Sequence, residues 1–223
     1  MIWPALRLSL LVVTVATAVV TVIGTALGLV FAKTRFRGKE LLYAGSVLPL
    51  VLPPTVTGYY LILLLGRQGP VGGPLYALTG WSITFTWLAA VVAASIIAMP
   101  LMVISARAAI EAVDSTLEIA SYTLGKSRMT TFFRITLPLA ARGILAGIVL
   151  SFARAFGEFG ATLMLAGNIP GRTQTMPLAI FEAVVAGEDE RAGALAAILT
   201  ALSILVVYLT SRLAPAPGSA RRP

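Results

Sequence analysis

Long apolar stretches dominate this chain, and most of them lack Lys, Arg, Asp and Glu over their whole length. About 20 consecutive apolar residues cross the roughly 30 Å hydrocarbon layer of a bilayer as an α-helix. The pattern therefore predicts an all-α, polytopic transmembrane helix bundle with about five spans. These spans are predicted at residues 8–32, 41–66, 82–105, 135–156 and 192–211.

Two stretches between the spans are predicted to lie outside this simple pattern. The Gly- and Pro-rich sequence that begins at residue 69 predicts a loop before the third span. After the fourth span, Pro170-Gly171 divides residues 161–185 into two apolar pieces, each too short to cross alone. An outward-facing hairpin fits this segment, and two thin spans fit it equally. The predicted total is about five spans, with six as an alternative.

Composition excludes a soluble protein and most enzyme classes. Apolar residues make up 58% of the chain and charged residues 12%, about half of the roughly 25% typical of soluble domains. The absence of His and Cys removes the commonest general base, thiolate nucleophile and metal ligands. We therefore predict no catalytic residue and no metal site on this chain.

The positive charge is distributed unevenly, and its distribution predicts the orientation. Basic residues concentrate after the first span, between the third and fourth spans, and in the C-terminal tail. Since short cytoplasmic loops accumulate Lys and Arg, these three segments are predicted to be cytoplasmic, with the N-terminus outside and the C-terminus inside. The net charge of +8 then needs no nucleic-acid partner to explain it.

The segment 110–134 is amphipathic and is predicted to form a short helix on the cytoplasmic face. Ser115 and Glu118 have the spacing of a capping box, and Gly125 suits the left-handed residue that ends a helix. Such a helix either rests on lipid headgroups or docks a soluble partner. Its apolar positions recur at steps of three and four residues: Ile110, Val113, Leu117, Ala120 and Leu124.

The sequence L-E-I-A-S-Y-T-L-G at 117–125, followed after nine residues by I-T-L-P at 135–138, resembles the coupling loop of ABC importer permeases. In that family the loop contacts the ATPase subunit. The glutamate of the family motif corresponds to Ile119 here, and the nearest acid, Glu118, stands one residue earlier. The resemblance assigns ATPase coupling to Leu117, Glu118, Ala120, Leu124, Gly125, Ile135 and Pro138.

The second span contains Pro49, Pro53 and Pro54, none of which can donate a backbone hydrogen bond. Such a break either shapes helix packing or exposes backbone and the hydroxyls of Thr55 and Thr57 to a translocation path. Both readings predict an interrupted helix.

Arg154 and Glu158 stand four residues apart near the outer end of the fourth span. Ionisable groups at this depth pair with each other or face a cavity. The pair either neutralises itself or takes part in gating. We assign the translocation path or gate to Pro53, Pro54, Thr55, Arg154, Glu158 and Asn168.

Four further motifs resemble the molybdate permease subunits of ABC importers: L-P-L-V-L-P-P at 48–54, G-R-Q-G-P-V-G at 66–72, G-E-F-G-A-T at 157–162 and N-I-P-G-R-T-Q-T at 168–175. Sulfate and thiosulfate permeases are the nearest alternative. A secondary transporter is less favoured, because it needs several intramembrane acids or paired repeats, and Glu158 is the only acid predicted to lie within a span.

The resemblance implies a type I importer permease at residues 1–213, with a coupling loop at about 110–138 and a short cytoplasmic tail at 214–223. It implies a homodimer in the prokaryotic inner membrane, moving molybdate and tungstate by alternating access. No cofactor is expected on this chain, since ATP and Mg would be held by a dimer of ATPase subunits. An extracytoplasmic molybdate-binding protein would deliver the ion.

Overall fold

The computed structural model describes residues 2–213, and within these residues the chain is helical without a β-strand. The predicted tail at 214–223 lies outside the described residues. The described helices are α1 (Ile2–Lys33), α2 (Lys39–Val47), α3 (Pro54–Leu65), α4 (Gly72–Thr79), α5 (Trp87–Glu111), α6 (Ser115–Thr123), α7 (Arg128–Thr131), α8 (Leu137–Phe156), α9 (Gly160–Ala166), α10 (Met176–Val185) and α11 (Asp189–Leu213).

Helices α1 and α5 form the centre of the molecule and run parallel. A Cβ atom at Gly24 would lie 2.6 Å from Met102 Cγ, and one at Gly28 would lie 2.7 Å from Ala106 Cβ. Residue numbers therefore increase in the same direction along both helices, from Gly24 to Gly28 and from Met102 to Ala106, so the two helices are parallel. Small residues at these positions allow the two backbones to approach closely.

Helix α8 packs against α5 in the opposite direction. Gly143 faces Ala109 and Gly147 faces Ser105, so residue numbers increase along α8 as they decrease along α5, and the two helices are antiparallel. These relative directions agree with the predicted topology, in which the first and third spans run from the outside to the cytoplasm and the fourth span runs back.

Three helices of the described part are long and apolar enough to cross a membrane: α1, α5 and the continuous helix 128–156. A fourth crossing exists if α2 and α3 are counted as one broken span. Helix α11 covers the fifth predicted span with 25 residues.

The second predicted span is a broken pair rather than a continuous helix. Segments Lys39–Leu50 and Pro54–Leu65 meet at an angle of 116°. Pro53 is extended, with φ of −54° and ψ of 136°, and Pro54 begins α3. Proline disfavours helical backbone in the residue before it and removes the N–H that would continue the ladder, so the consecutive pair stops one helix and starts the next.

The predicted loop before the third span contains helix α4, which corrects the sequence-based prediction. Pro74 lies in the first turn of α4, where backbone N–H groups have no intrahelical acceptor. Proline is tolerated at such a position, so its presence did not exclude a helix.

The segment after α8 forms two short helices on either side of Pro170-Gly171, as predicted. Gly171 has a positive φ of 73°, and the connecting loop separates α9 from α10. The backbone N–H of Met176, at the start of α10, donates to Ser9 Oγ of α1 at 2.7 Å. Ala179 of α10 and Leu195 of α11 pack with Ala5, which places both helices at the N-terminal end of α1.

Candidate coupling segment and broken-helix junction

Helix α6 begins at a different cap from the one predicted. Asp114 is the N-cap, and its Oδ1 accepts the backbone N–H of Thr116 at 2.9 Å. This hydrogen bond holds the pKa of the Asp114 carboxyl below its usual value. The predicted capping box of Ser115 and Glu118 is wrong, because Ser115 is already helical and both Glu118 carboxylate oxygens accept side-chain donors elsewhere.

Gly125 ends the coupling segment's first helix, as predicted. Its φ of 74° is the left-handed conformation that glycine adopts without steric cost. The N–H of Gly125 donates to the Tyr122 carbonyl at 2.9 Å, and that of Lys126 donates to the Ser121 carbonyl at 3.1 Å. These two bonds satisfy carbonyls that the end of the helix would otherwise leave without donors.

Helix α6 buries polar side chains and exposes apolar ones, the reverse of an ordinary surface helix. Glu118 and Ser121 are the buried residues of α6, whereas its apolar side chains are exposed. The predicted apolar face is divided, since Ile110 is buried in the last turn of α5, Val113 is buried in the turn after it, and α6 begins at Ser115 behind its cap Asp114. The exposed large apolar side chains of α6 and of residues 124–133 are Leu117, Ile119, Tyr122, Leu124, Met129 and Phe133. We call these six residues the exposed apolar face.

The buried face of α6 is held by polar contacts from three other segments. Lys33 Nζ of α1 donates a hydrogen bond to Glu118 Oε2 at 2.7 Å, and Thr136 Oγ1 donates one to Glu118 Oε1 at 2.5 Å. The hydroxyls of Ser121 and Thr131 share a buried hydrogen bond of 2.8 Å. The orientation of α6 is therefore fixed from the inside, and its apolar side chains have to face outwards.

Ile135 and Pro138 lie at a π-helical turn that joins α7 to α8. The turn spans Phe132–Thr136, and the N–H of Leu137 donates to the carbonyl of Phe132. Pro138 has no N–H to donate to a carbonyl in the preceding turn, which favours this wider spacing. The I-x-L-P motif thus coincides with a local irregularity at the C-terminal end of the coupling loop. Ala120 is exposed, as is Pro138, while Ile135 is half-buried.

The second candidate region is the place where α3 and α9 begin side by side. A Cβ atom at Gly160 would lie 3.1 Å from Pro54 Cβ and 3.3 Å from the backbone nitrogen of Thr55. One turn further, a Cβ at Gly58 would lie 2.9 Å from the Cα of Ala161. Two interrupted helices therefore start together and run parallel.

The hydroxyls at this junction differ in exposure. Thr55 is exposed, whereas Thr57 is buried and its hydroxyl has no hydrogen-bond partner within the described residues. Pro53 caps α3 at the same point. The junction thus combines free hydroxyl groups with two helix starts.

Arg154 and Glu158 form the predicted i, i+4 ion pair, with Arg154 Nη1 and Glu158 Oε2 2.9 Å apart. Glu158 Oε1 also accepts the backbone N–H of Ala161 at 2.8 Å, so the carboxylate caps the start of α9. The Glu158 side chain is 2% exposed and the Arg154 side chain 31%. The pair therefore lies beside the junction of α3 and α9, and both carboxylate oxygens are engaged.

Asn168 lies at the opposite end of α9, away from the other predicted path residues. Its Nδ2 donates to Glu182 Oε2 at 2.9 Å, and its Oδ1 accepts Gln174 Nε2 at 3.1 Å. Gln174 Nε2 also contacts Glu182 Oε2. These contacts hold the loop between α9 and α10 together.

Several residues of both regions were missed from the sequence. Lys33 is one of the basic residues after the first span, which predicted only the orientation, and Thr136 had no predicted role, although both donate hydrogen bonds to Glu118. Gln174 and Glu182 lie in an apolar segment whose charge pattern gave no sign of the cluster with Asn168. No local spacing connects residues as distant as Lys33 and Glu118, which are 85 positions apart.

Comparison with solved structures defines the fold class. The chain is similar to the MetNI methionine ABC transporter, with a TM-score of 0.70 and 14% identity over 96% of this chain and 92% of that chain. It is also similar to a bacterial ABC transporter involved in the import of the acidic polysaccharide alginate, with a TM-score of 0.77 and 16% identity over 95% and 78% of the two chains. The fold is that of a type I ABC importer permease.

Sequence comparison then defines the family. Residues 24–216 match the binding-protein-dependent transport system inner membrane component, and the chain belongs to this family of multi-pass membrane proteins. The molybdenum transport system permease protein ModB of Escherichia coli is 42% identical over 95% of this chain and 93% of its own length. ModB of Haemophilus influenzae is 44% identical over 80% and 79%. ModB of Azotobacter vinelandii is 39% identical over 92% and 90%.

Proposed function

We propose that this chain is the membrane-spanning permease subunit of an ATP-driven importer for molybdate and tungstate. The observation that carries the proposal is the identity of about 40% to molybdenum permeases along nearly the whole chain. The likeness extends through the coupling segment and the broken-helix junction, so it includes the two regions that a permease needs.

The exposed apolar face supports a docking role for α6. A helix that buries a carboxylate and a hydroxyl while exposing leucine, isoleucine and tyrosine needs an external contact for its apolar atoms. An ATPase subunit that binds there would transmit its closure to the membrane helices. ATP and Mg would be bound by a dimer of such ATPase subunits and not by this chain.

The charges at the junction of α3 and α9 support weak contact with a passing oxyanion. Arg154 is neutralised by Glu158, whose carboxylate is itself held by Ala161. Moving a dianion into an apolar channel without compensation is costly, so tight recognition belongs on a soluble binding protein outside the membrane. Thr55, Thr57 and the backbone at the two helix starts would offer only transient hydrogen bonds to the ion.

A second copy of this chain would complete the path. In the proposed homodimer, the two junctions face each other, and alternating access arises from movement of the two helix bundles. The N-terminus lies outside and the C-terminus lies in the cytoplasm of a prokaryotic cell. This orientation puts α6 where an ATPase can reach it.

The test is transport by the assembled importer in proteoliposomes. The chain is co-purified with an ATPase subunit and a binding protein of the same organism, and molybdate accumulation is measured with and without ATP. We expect ATP-dependent uptake of molybdate that tungstate inhibits and sulfate does not. Uptake of sulfate without uptake of molybdate would overturn the substrate assignment, and copurification without any ATPase would overturn the importer assignment.

A further inference from the structure

We infer that Glu118 is a positioning residue that fastens α6 to two membrane helices at once, to α1 through Lys33 and to the start of α8 through Thr136. The inference rests on the proposed function, because it concerns how movement of α6 reaches the membrane. It concerns a residue that faces the inside of this chain, away from any docked ATPase.

The first observation is the complete use of the Glu118 carboxylate. Lys33 Nζ donates to one oxygen at 2.7 Å and Thr136 Oγ1 donates to the other at 2.5 Å. The Glu118 side chain is 11% exposed and that of Lys33 31%. A carboxylate at such burial needs both partners, since a buried charge without compensation is strongly unfavourable.

The second observation is where the two partners stand. Lys33 is the last residue of α1, and Thr136 is the last residue of the π-helical turn that leads into α8. Neither belongs to α6, and Lys33 is 85 residues away from Glu118. The contacts therefore join separate parts of the chain and do not serve the internal stability of α6.

The third observation is the packing that these two helices share. Gly24 and Gly28 place α1 directly on α5, and Gly143 and Gly147 place α8 on the same helix. The backbone joins α6 to α8 only by way of α7 and the π-helical turn, and the hydrogen bond from Thr136 gives a direct link. The Glu118 contacts add α1, so that both helices beside α5 move together with α6.

The experiment compares transport with ATP hydrolysis in the assembled importer. Lys33→Met, Glu118→Gln and Thr136→Val each remove one partner, and the ratio of molybdate transported to ATP hydrolysed is measured in proteoliposomes. We expect this ratio to fall roughly five- to tenfold while ATP hydrolysis continues. Glu188→Gln is the matched control, because it makes the same change of side chain and breaks the Arg191–Glu188 ion pair outside the coupling loop, and it should leave the ratio unchanged.

The combination of Lys33→Glu with Glu118→Lys tests the ion pair directly. If the ion pair matters, the double variant should show a higher ratio of molybdate transported to ATP hydrolysed than either charge-reversal single variant. If the two residues act independently, the double variant should show the combined loss of both single variants. An unchanged ratio in Lys33→Met and Glu118→Gln would overturn the inference. Equal losses of transport and ATP hydrolysis would overturn it as well, because they indicate a structural role only.

Thr136→Val keeps nearly the same side-chain shape and provides a folded variant if the charge variants do not assemble. An unchanged ratio in Thr136→Val would overturn the link to α8 and with it the inference. The proposed function fails separately, when the wild-type importer does not accumulate molybdate. If the wild type transports sulfate instead, the same ratio is measured with sulfate.

Discussion

At the scale of single residues, Gly125 is the one position of the coupling segment with a positive φ. Its φ of 74° costs an ordinary L-residue roughly 1–2 kcal/mol, and a β-branched residue is disfavoured further. We expect Gly125→Val to reduce molybdate uptake without reducing the amount of protein inserted in the membrane. Gly125→Asn is the control and should retain more uptake, since Asn tolerates the left-handed region. Equal uptake by the Val variant and the wild type would contradict this role.

The two members of the Arg154–Glu158 pair are buried unequally, so removing one should affect stability more than removing the other. Arg154→Met leaves a nearly inaccessible carboxylate with only the N–H of Ala161, whereas Glu158→Gln removes the charge and keeps an acceptor for that N–H. We expect Arg154→Met to lower the thermal unfolding temperature in detergent more than Glu158→Gln does.

The double variant of Arg154→Met and Glu158→Gln serves as the control for this prediction. It should be more stable than Arg154→Met alone, because it no longer contains an unpaired buried charge. A double variant less stable than both single variants would show that the side-chain shapes, not the charge, determine stability here.

At the scale of helices, the contact between α1 and α5 predicts a difference between two neighbouring glycines. A methyl group at Gly28 would lie 2.9 Å from the backbone nitrogen of Arg107, whereas one at Gly24 would meet the flexible side chain of Met102. We expect Gly28→Ala to destabilise the protein by about 1–3 kcal/mol and Gly24→Ala by less. Gly45→Ala in α2 is the control, since no atom lies within 4 Å of its added methyl. Thermal unfolding of the three purified variants compares them.

The cap of α6 makes a prediction about pH. The pKa of Asp114 is lowered by the N–H of Thr116, so its stabilising effect is present above the pKa of an unfolded aspartate and is lost as pH falls through the lower folded pKa. At neutral pH, Asp114→Ala should speed hydrogen exchange of α6 amides, while Asp114→Asn should change it less. The difference from wild type should shrink in acid, and a constant difference at all pH values would contradict the assignment.

The helices also show which parts of the fold and site could be predicted from the sequence. Apolar length predicted the spans, and Pro53-Pro54 predicted the break between α2 and α3, because both effects are local. The amphipathic pattern placed Ile110 and Val113 on one face with Leu117, Ala120 and Leu124, whereas the structure buries the first two and exposes the other three. It could not predict this division, since the orientation of α6 is set by Lys33 and Thr136. Contacts between distant residues leave no periodic signal in a single sequence.

At the scale of the whole molecule, packing and charge lead independently to the same arrangement. Parallel α1 and α5 and antiparallel α8 require that α1 and α5 end on the side from which α8 starts. Lys33 ends α1, Arg107 lies in the last turns of α5 and Arg134 precedes α8, so all three stand at that side. These three basic residues lie at the end of the bundle that the proposed orientation assigns to the cytoplasm.

The absence of cysteine makes this orientation directly measurable, because each introduced cysteine is unique. Leu78→Cys and Glu190→Cys lie at exposed positions predicted to be outside, and we expect a membrane-impermeant maleimide to label them in intact spheroplasts. Arg37→Cys and Lys126→Cys should react only after permeabilisation. Val22→Cys is the control: its side chain is exposed on α1 but lies within the first span, so lipid should protect it in both conditions. Labelling of Lys126→Cys in intact spheroplasts would place α6 outside and remove the physical basis for ATPase docking.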